Sequence, residues 1–174
     1  MITGGPATEG AGKLANFYEG INASRAEDPH MTSLGHSYGS LTQGIALSNE
    51  GTGVDDAVFF GSPGISAEPA PFDDGVAGLE LDNGAAYNLE AEGDPVADIP
   101  DAAGRYGIDL AGMEDMHQLS TEKATGAGGA PLAGSNGHSE YTKVMPNGTS
   151  STSLYNMANI VAGMPERTIP VHGD

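Results

Sequence analysis

His30-Met31-Thr32-Ser33-Leu34 runs directly into Gly35-His36-Ser37-Tyr38-Gly39, and residues 40 to 48 follow with Leu41, Ile45 and Leu47 at helical spacing. The spacing predicts a short strand over 30–34, a sharp turn, and a helix that the Asn49-Glu50-Gly51 cluster ends. A serine hydroxyl is a poor nucleophile unless it is exposed, relieved of its proton by a base and placed beside donors for the developing oxyanion. A Gly-x-Ser-x-Gly turn between strand and helix meets the first need, because it strains the serine backbone and lifts Oγ clear of the chain. Glycines two residues to either side are expected to let neighbouring segments approach without a Cβ clash.

Upstream, Leu14, Phe17, Tyr18 and Ile21 recur at three- and four-residue spacing between Gly12 and Ser24, predicting a helix with one buried face that Asp28-Pro29 ends. Downstream, Ala57-Val58-Phe59-Phe60 is an unbroken apolar run between Asp55-Asp56 and Gly61-Ser62-Pro63-Gly64, as in a strand buried on both faces. Residues 85–91 repeat that pattern more weakly, with Gly93-Asp94-Pro95 as the closing turn. Between these strands, residues 66–84 are rich in Pro, Gly and Asp and suggest a surface excursion, and the glycine-rich run from Thr125 to Gly137 suggests a mobile loop. Leu154, Met157, Ala158, Ile160 and Val161 form a last helical stripe. The order helix, strand, helix, strand, strand, helix fits an α/β fold with a parallel sheet, and the 174 residues suit a single domain over 1–174.

Composition narrows the function. With 24 Asp plus Glu against 6 Lys plus Arg, the formal net charge is −18, which argues against nucleic acid and anionic membrane surfaces as partners. The chain has no cysteine, which excludes disulfides, thiolate metal sites and a cysteine nucleophile. Neither a membrane span nor a signal peptide is visible, so a cytoplasmic location is the default. No motif calls for a cofactor or a metal: Glu80-Leu81-Asp82-Asn83-Gly84 lacks the closing Glu of a calcium loop, and Gly126 to Gly129 lacks the strand and Lys-Ser or Lys-Thr of a phosphate loop.

A serine nucleophile needs a base and an acid, expected in the chain order Ser, Asp or Glu, His. His36 lies inside the turn and reads as a packed or hydrogen-bonded structural histidine. His30 and His172 sit at a strand start and near the chain end. His138, in Gly137-His138-Ser139-Glu140-Tyr141, follows a long loop and is favoured as the base over His117. Asp94 follows a strand, where open α/β sheets collect functional groups, and is the candidate acid, with an Asp-Pro turn initiator as its alternative reading.

Taken together, Gly35 to Ser40, Val58 to Gly64, Gly93-Asp94-Pro95-Val96 and Gly137 to Tyr141 resemble an α/β-hydrolase family common in actinobacteria and long catalogued as a domain of unknown function. The resemblance runs from about Ala7 to Gly163. It implies a mostly parallel sheet with flanking helices and a catalytic triad of Ser37, Asp94 and His138. One oxyanion donor in such folds is the backbone N–H after the nucleophile, here Tyr38; the other comes from an earlier strand and loop. Only 36 residues precede Ser37, too few for them, so the chain resembles the carboxyl-terminal part of a larger enzyme that lacks the amino-terminal strands. A fragment, a half that self-associates or pairs with another chain to complete its sheet, and a reduced homologue without catalysis all fit. The resulting expectation is a serine hydrolase acting on a small-molecule ester or related acyl bond, with a non-catalytic binding or assembly protein as the alternative.

Overall fold

The structure is a computed structural model that describes residues 5–65, 72–82, 84–98 and 108–171. His172, Asn83 and residues 66–71 of the expected surface excursion lie outside the described residues.

Four strands form one parallel sheet in the order β1 (Thr32–His36), β2 (Asp56–Phe60), β3 (Ala86–Leu89), β4 (His117–Leu119). The registers line up His36, Phe60 and Leu89, and then Leu119, so the four carboxyl ends form one rim. Helices α1 (Gly5–Ala23) and α2 (Tyr38–Leu47) cover one face, where Ala57, Phe59 and Ala86 meet Ala11, Ala15, Tyr18, Ala46 and Leu47. Helix α3 (Thr152–Val161) covers the other, where Val58, Tyr87 and Leu89 meet Met157 and Ile160. Every residue of β3 is buried, as expected of a strand with both faces covered. The α/β architecture with a parallel sheet and flanking helices is therefore the expected one. Among the described residues no helix is long and apolar enough to cross a membrane.

Several local expectations are corrected. Strand β1 lies two residues later than 30–34 and runs through Gly35 and His36 to the serine itself. The buried face of α1 is not set by its large residues: Ala7, Ala11, Ala15 and Tyr18 are buried, while Phe17 is 62% exposed. Small side chains let α1 approach α2 closely, to the point that a Cβ on Gly10 would lie 3.2 Å from Thr42 Cγ2. In α3 the buried stripe is Ser153, Asn156, Met157 and Ile160, whereas Val161 is exposed. Buried Asn156 is fully used, donating to the carbonyls of Ser120 and Ile169 and accepting from Ile169 N.

Part of the glycine-rich run forms regular structure rather than a plain loop. A two-stranded antiparallel ribbon pairs β5 (Ala124–Thr125) with β6 (Pro131–Leu132), closed by Gly126 N to Ala130 O at 2.8 Å. Gly128 and Gly129 take φ of 71° and 81°, which only glycine adopts freely. Tyr155 of α3 pins the ribbon by accepting from Ala127 N at 3.0 Å. Within the excursion, Leu79 is buried and Val76 and Leu81 pack on the core, so its second half belongs to the interior.

Strand β1 ends the sheet. It pairs with β2 on one side, and among the described residues nothing pairs with its other edge. Leu34 on that strand is 44% exposed.

Candidate active site

At the carboxyl rim, β1 passes into α2 through Ser37, whose φ of 55° and ψ of −133° lie outside the regions that L-residues prefer. The strained turn is held from three directions. Ser37 N donates to Phe60 O at 3.1 Å, Ser40 N and Oγ donate to Ser37 O, and Ser62 Oγ lies 2.6 Å from Ser40 Oγ. Beneath the turn, buried Gln43 donates Nε2 to Ser33 O at 3.1 Å. A Cβ on Gly35 would run into Gln43 Oε1 and come within 2.9 Å of Ser40 Cα, so a glycine is required there. Gly39 differs from expectation, because a Cβ there would meet nothing within 4 Å.

The structure brings Ser37, His138 and Asp94 together. His138 Nε2 lies 2.8 Å from Ser37 Oγ, and Nδ1 lies 2.9 and 3.0 Å from the two Asp94 oxygens. An ionised carboxylate only accepts, so Nδ1 carries the proton and Nε2 of the neutral ring is left to accept from the serine hydroxyl. Asp94 is held by the turn after β3, which it initiates as its alternative reading has it. Its Oδ1 caps that turn by accepting from Val96 N at 2.9 Å while facing His138. The loop bearing His138 is fastened to the same segment, since Gly137 N donates to Glu92 O at 2.9 Å.

Tyr141 was not singled out by the sequence, yet it completes the arrangement. Fully buried, it donates its hydroxyl to Asp94 Oδ2 at 2.7 Å and accepts from Ala91 N at 2.9 Å. Burial, then the bond to Asp94, pushes the Tyr141 hydroxyl well up, so it remains a donor. Burial alone would raise the Asp94 carboxyl, but the hydrogen bonds from Tyr141, His138 and Val96 outweigh it and hold the group below its ordinary value. The one sequence signal for Tyr141 is its place three residues after His138, which says nothing of its partner.

Gly61 is a second unanticipated element. It follows β2 with φ of 56°, and a Cβ there would lie 2.9 Å from Asp94 Oδ2, 2.9 Å from Tyr141 Cε2 and 3.2 Å from His138 Cε1. The absence of a side chain is what lets the three groups meet.

The remaining histidines lie apart or play another part. His117 begins β4 and stacks on Tyr87, three strands across the sheet from β1 and Ser37. His30 pairs with Asp55 and Asp56 before β1. His36 is hydrogen-bonded, though exposed, and its partner is His138: the rings stack at 4.5 Å, and His36 Nε2 lies 3.0 Å from the His138 carbonyl oxygen. Tyr38 opens α2, so its N–H has no acceptor within the helix and sits at the positive end of the helix dipole. Among the described residues, no three His, Asp or Glu side chains converge so as to hold a metal ion.

Comparison with known proteins agrees with the architecture. Uncharacterized proteins of Mycobacterium bovis and Mycobacterium tuberculosis are each 35% identical to this chain over 129 residues, covering 74% of it. The chain spans 45% of the length of these curated relatives. No solved structure matches it significantly. The family model described as alpha/beta hydrolase matches residues 1–104, more than half of the chain. The chain belongs to the alpha/beta hydrolase family.

Proposed function

We propose that this chain is a serine hydrolase that cleaves an ester or related acyl bond, with Ser37 as nucleophile, His138 as base and Asp94 as the group that orients His138. One observation carries the reading: a single imidazole lies within hydrogen-bond distance of both Ser37 Oγ and the Asp94 carboxylate. Family membership supports hydrolysis in general.

In this reading Ser37 Oγ attacks the acyl carbon as His138 Nε2 takes its proton, and the carbonyl electrons move onto oxygen. In the same reading Tyr38 N–H, at the start of α2, donates to that oxyanion. The intermediate collapses to an acyl-serine while His138 returns the proton to the leaving alcohol or amine; water, deprotonated by the same imidazole, then releases the acid. Asp94 stays ionised throughout, because its carboxyl is held low, and it offsets the charge of the imidazolium. Hydrolysis of activated small-molecule esters is expected.

The test is p-nitrophenyl acetate turnover by the purified chain and by Ser37→Ala and Asp94→Asn. Turnover that vanishes in the first and falls steeply in the second supports the reading. Turnover untouched by Ser37→Ala contradicts it. A second reading, a binding or assembly protein, is favoured by the edge of β1 that nothing among the described residues pairs with and by the exposure of Leu34. It predicts self-association of a folded chain without ester turnover, measured by sedimentation.

A further inference from the structure

Two adjacent residues of β1 and its turn address the same loop residue. Ser37 faces the His138 ring edge, while His36 faces that ring's flat side and its main chain. The His36 ring stacks on His138 with centroids 4.5 Å apart and planes 28° apart, and on Phe60 at 4.9 Å and 20°. Tyr141 meets it edge-on at 5.9 Å. A backbone carbonyl can only accept, so at 3.0 Å from His138 O the His36 Nε2 carries its hydrogen. Among the described residues, no other group donates to that carbonyl.

His138 belongs to no helix or strand; it sits in a turn between β6 and α3. Its ring is therefore only as well placed as the contacts that hold its main chain. We infer that His36 is a positioning residue, which uses its N–H to fix the His138 main chain and, through it, the place of the imidazole beside Ser37. The inference rests on the reading of Ser37 and His138 as nucleophile and base. Because His36 is covalently next to Ser37, the distance between nucleophile and base is set from a single rigid strand end. A residue that merely filled space beside Phe60 would need a ring but no donor.

That difference provides the test. His36→Phe keeps a stacking ring and loses the donor, whereas His36→Gln loses the ring and keeps a side-chain N–H. The rate at which a fluorophosphonate labels Ser37, and kcat and KM for p-nitrophenyl acetate, are measured alongside the thermal midpoint. Loss of one neutral hydrogen bond corresponds to about a five- to tenfold change in rate. His36→Phe is expected to fall by that factor in labelling and kcat with KM unchanged, and His36→Gln to recover to within about twofold of the parent. In histidine-labelled protein, the Nδ1–H resonance of His138 should shift in His36→Phe and return in His36→Gln. Should His36→Phe fail to fold, His36→Leu supplies the same donor-free comparison. Parent-like labelling and resonance in the donor-free variant would overturn the inference, as would rates that follow the thermal midpoint in both variants alike. Absence of labelling in the parent chain would instead remove the serine hydrolase reading, with the resonance still reporting on the His36 contact.

Discussion

Replacing Tyr141 by Phe removes one oxygen and leaves the buried ring in place, so its consequences can be worked out from two hydrogen bonds. The first, from the hydroxyl to Asp94 Oδ2 at 2.7 Å, is charge-assisted and corresponds to roughly 1.5–3 kcal/mol. The second leaves Ala91 N–H buried without its acceptor, which costs about 1–3 kcal/mol. Partial relaxation and the easier burial of a phenyl ring reduce the sum, so a loss of about 2–4 kcal/mol is expected. For a chain of this size each kcal/mol moves the thermal midpoint by about 2–4 °C, giving a fall of roughly 5–15 °C. Urea unfolding should show the midpoint lowered at unchanged slope, the mark of altered stability rather than altered compactness. The same variant withdraws one of the donors that hold the Asp94 carboxyl low, so the Asp94 pKa should rise. A stability change under about 0.5 kcal/mol would refute the reasoning, because it would mean that neither bond contributes in the folded state.

Gly61→Ala should damage the site more than its one added carbon suggests, since the new Cβ meets Asp94, Tyr141 and His138 and the backbone must keep a φ of 56°. A loss of about 2 kcal/mol or more in urea unfolding, with slower fluorophosphonate labelling, is expected. Gly35→Ala and Gly39→Ala should differ sharply: the first collides with Gln43 and Ser40, while the second, in the first turn of α2, meets nothing within 4 Å and should change stability by under about 0.5 kcal/mol, read from paired unfolding curves. For Asp94 the folded pKa is depressed, so its contribution is complete above the ordinary carboxyl value near pH 4 and is lost as pH falls through the lower folded value. The midpoint gap between the parent and Asp94→Asn should thus shrink as pH falls below about 4.

How much of this was legible in the sequence depended on whether a local pattern carried the feature. Strand β2 was, because Ala57 to Phe60 is an unbroken apolar run between polar flanks and no other structure suits so short a stretch. The turn at Ser37 was too, since its glycine at 35 answers a contact made within the same strand-turn-helix unit. Strand β4 was not: His117-Gln118-Leu119 is short and mostly polar, and it joins the sheet because Leu119 docks in the core and Gln118 accepts from the Asn88 side chain. Nor was the face of α1 legible, because alanines rather than Phe17 give the close approach to α2. Ser37, Asp94 and His138 could be named from motif and chain order, and they stand within hydrogen-bond distance. Tyr141, Gly61 and His36 act through partners far away in the sequence, and no spacing rule announces such contacts.

The most direct test of the central claim is site-resolved labelling with a fluorophosphonate, read by mass spectrometry on chain shown to be folded by circular dichroism. The account predicts one adduct per chain, on Ser37, absent in Ser37→Ala and slowed about 10²–10⁴-fold in His138→Ala, the usual contribution of a general base. A folded chain that takes up no label, or takes it up at another residue, would contradict it.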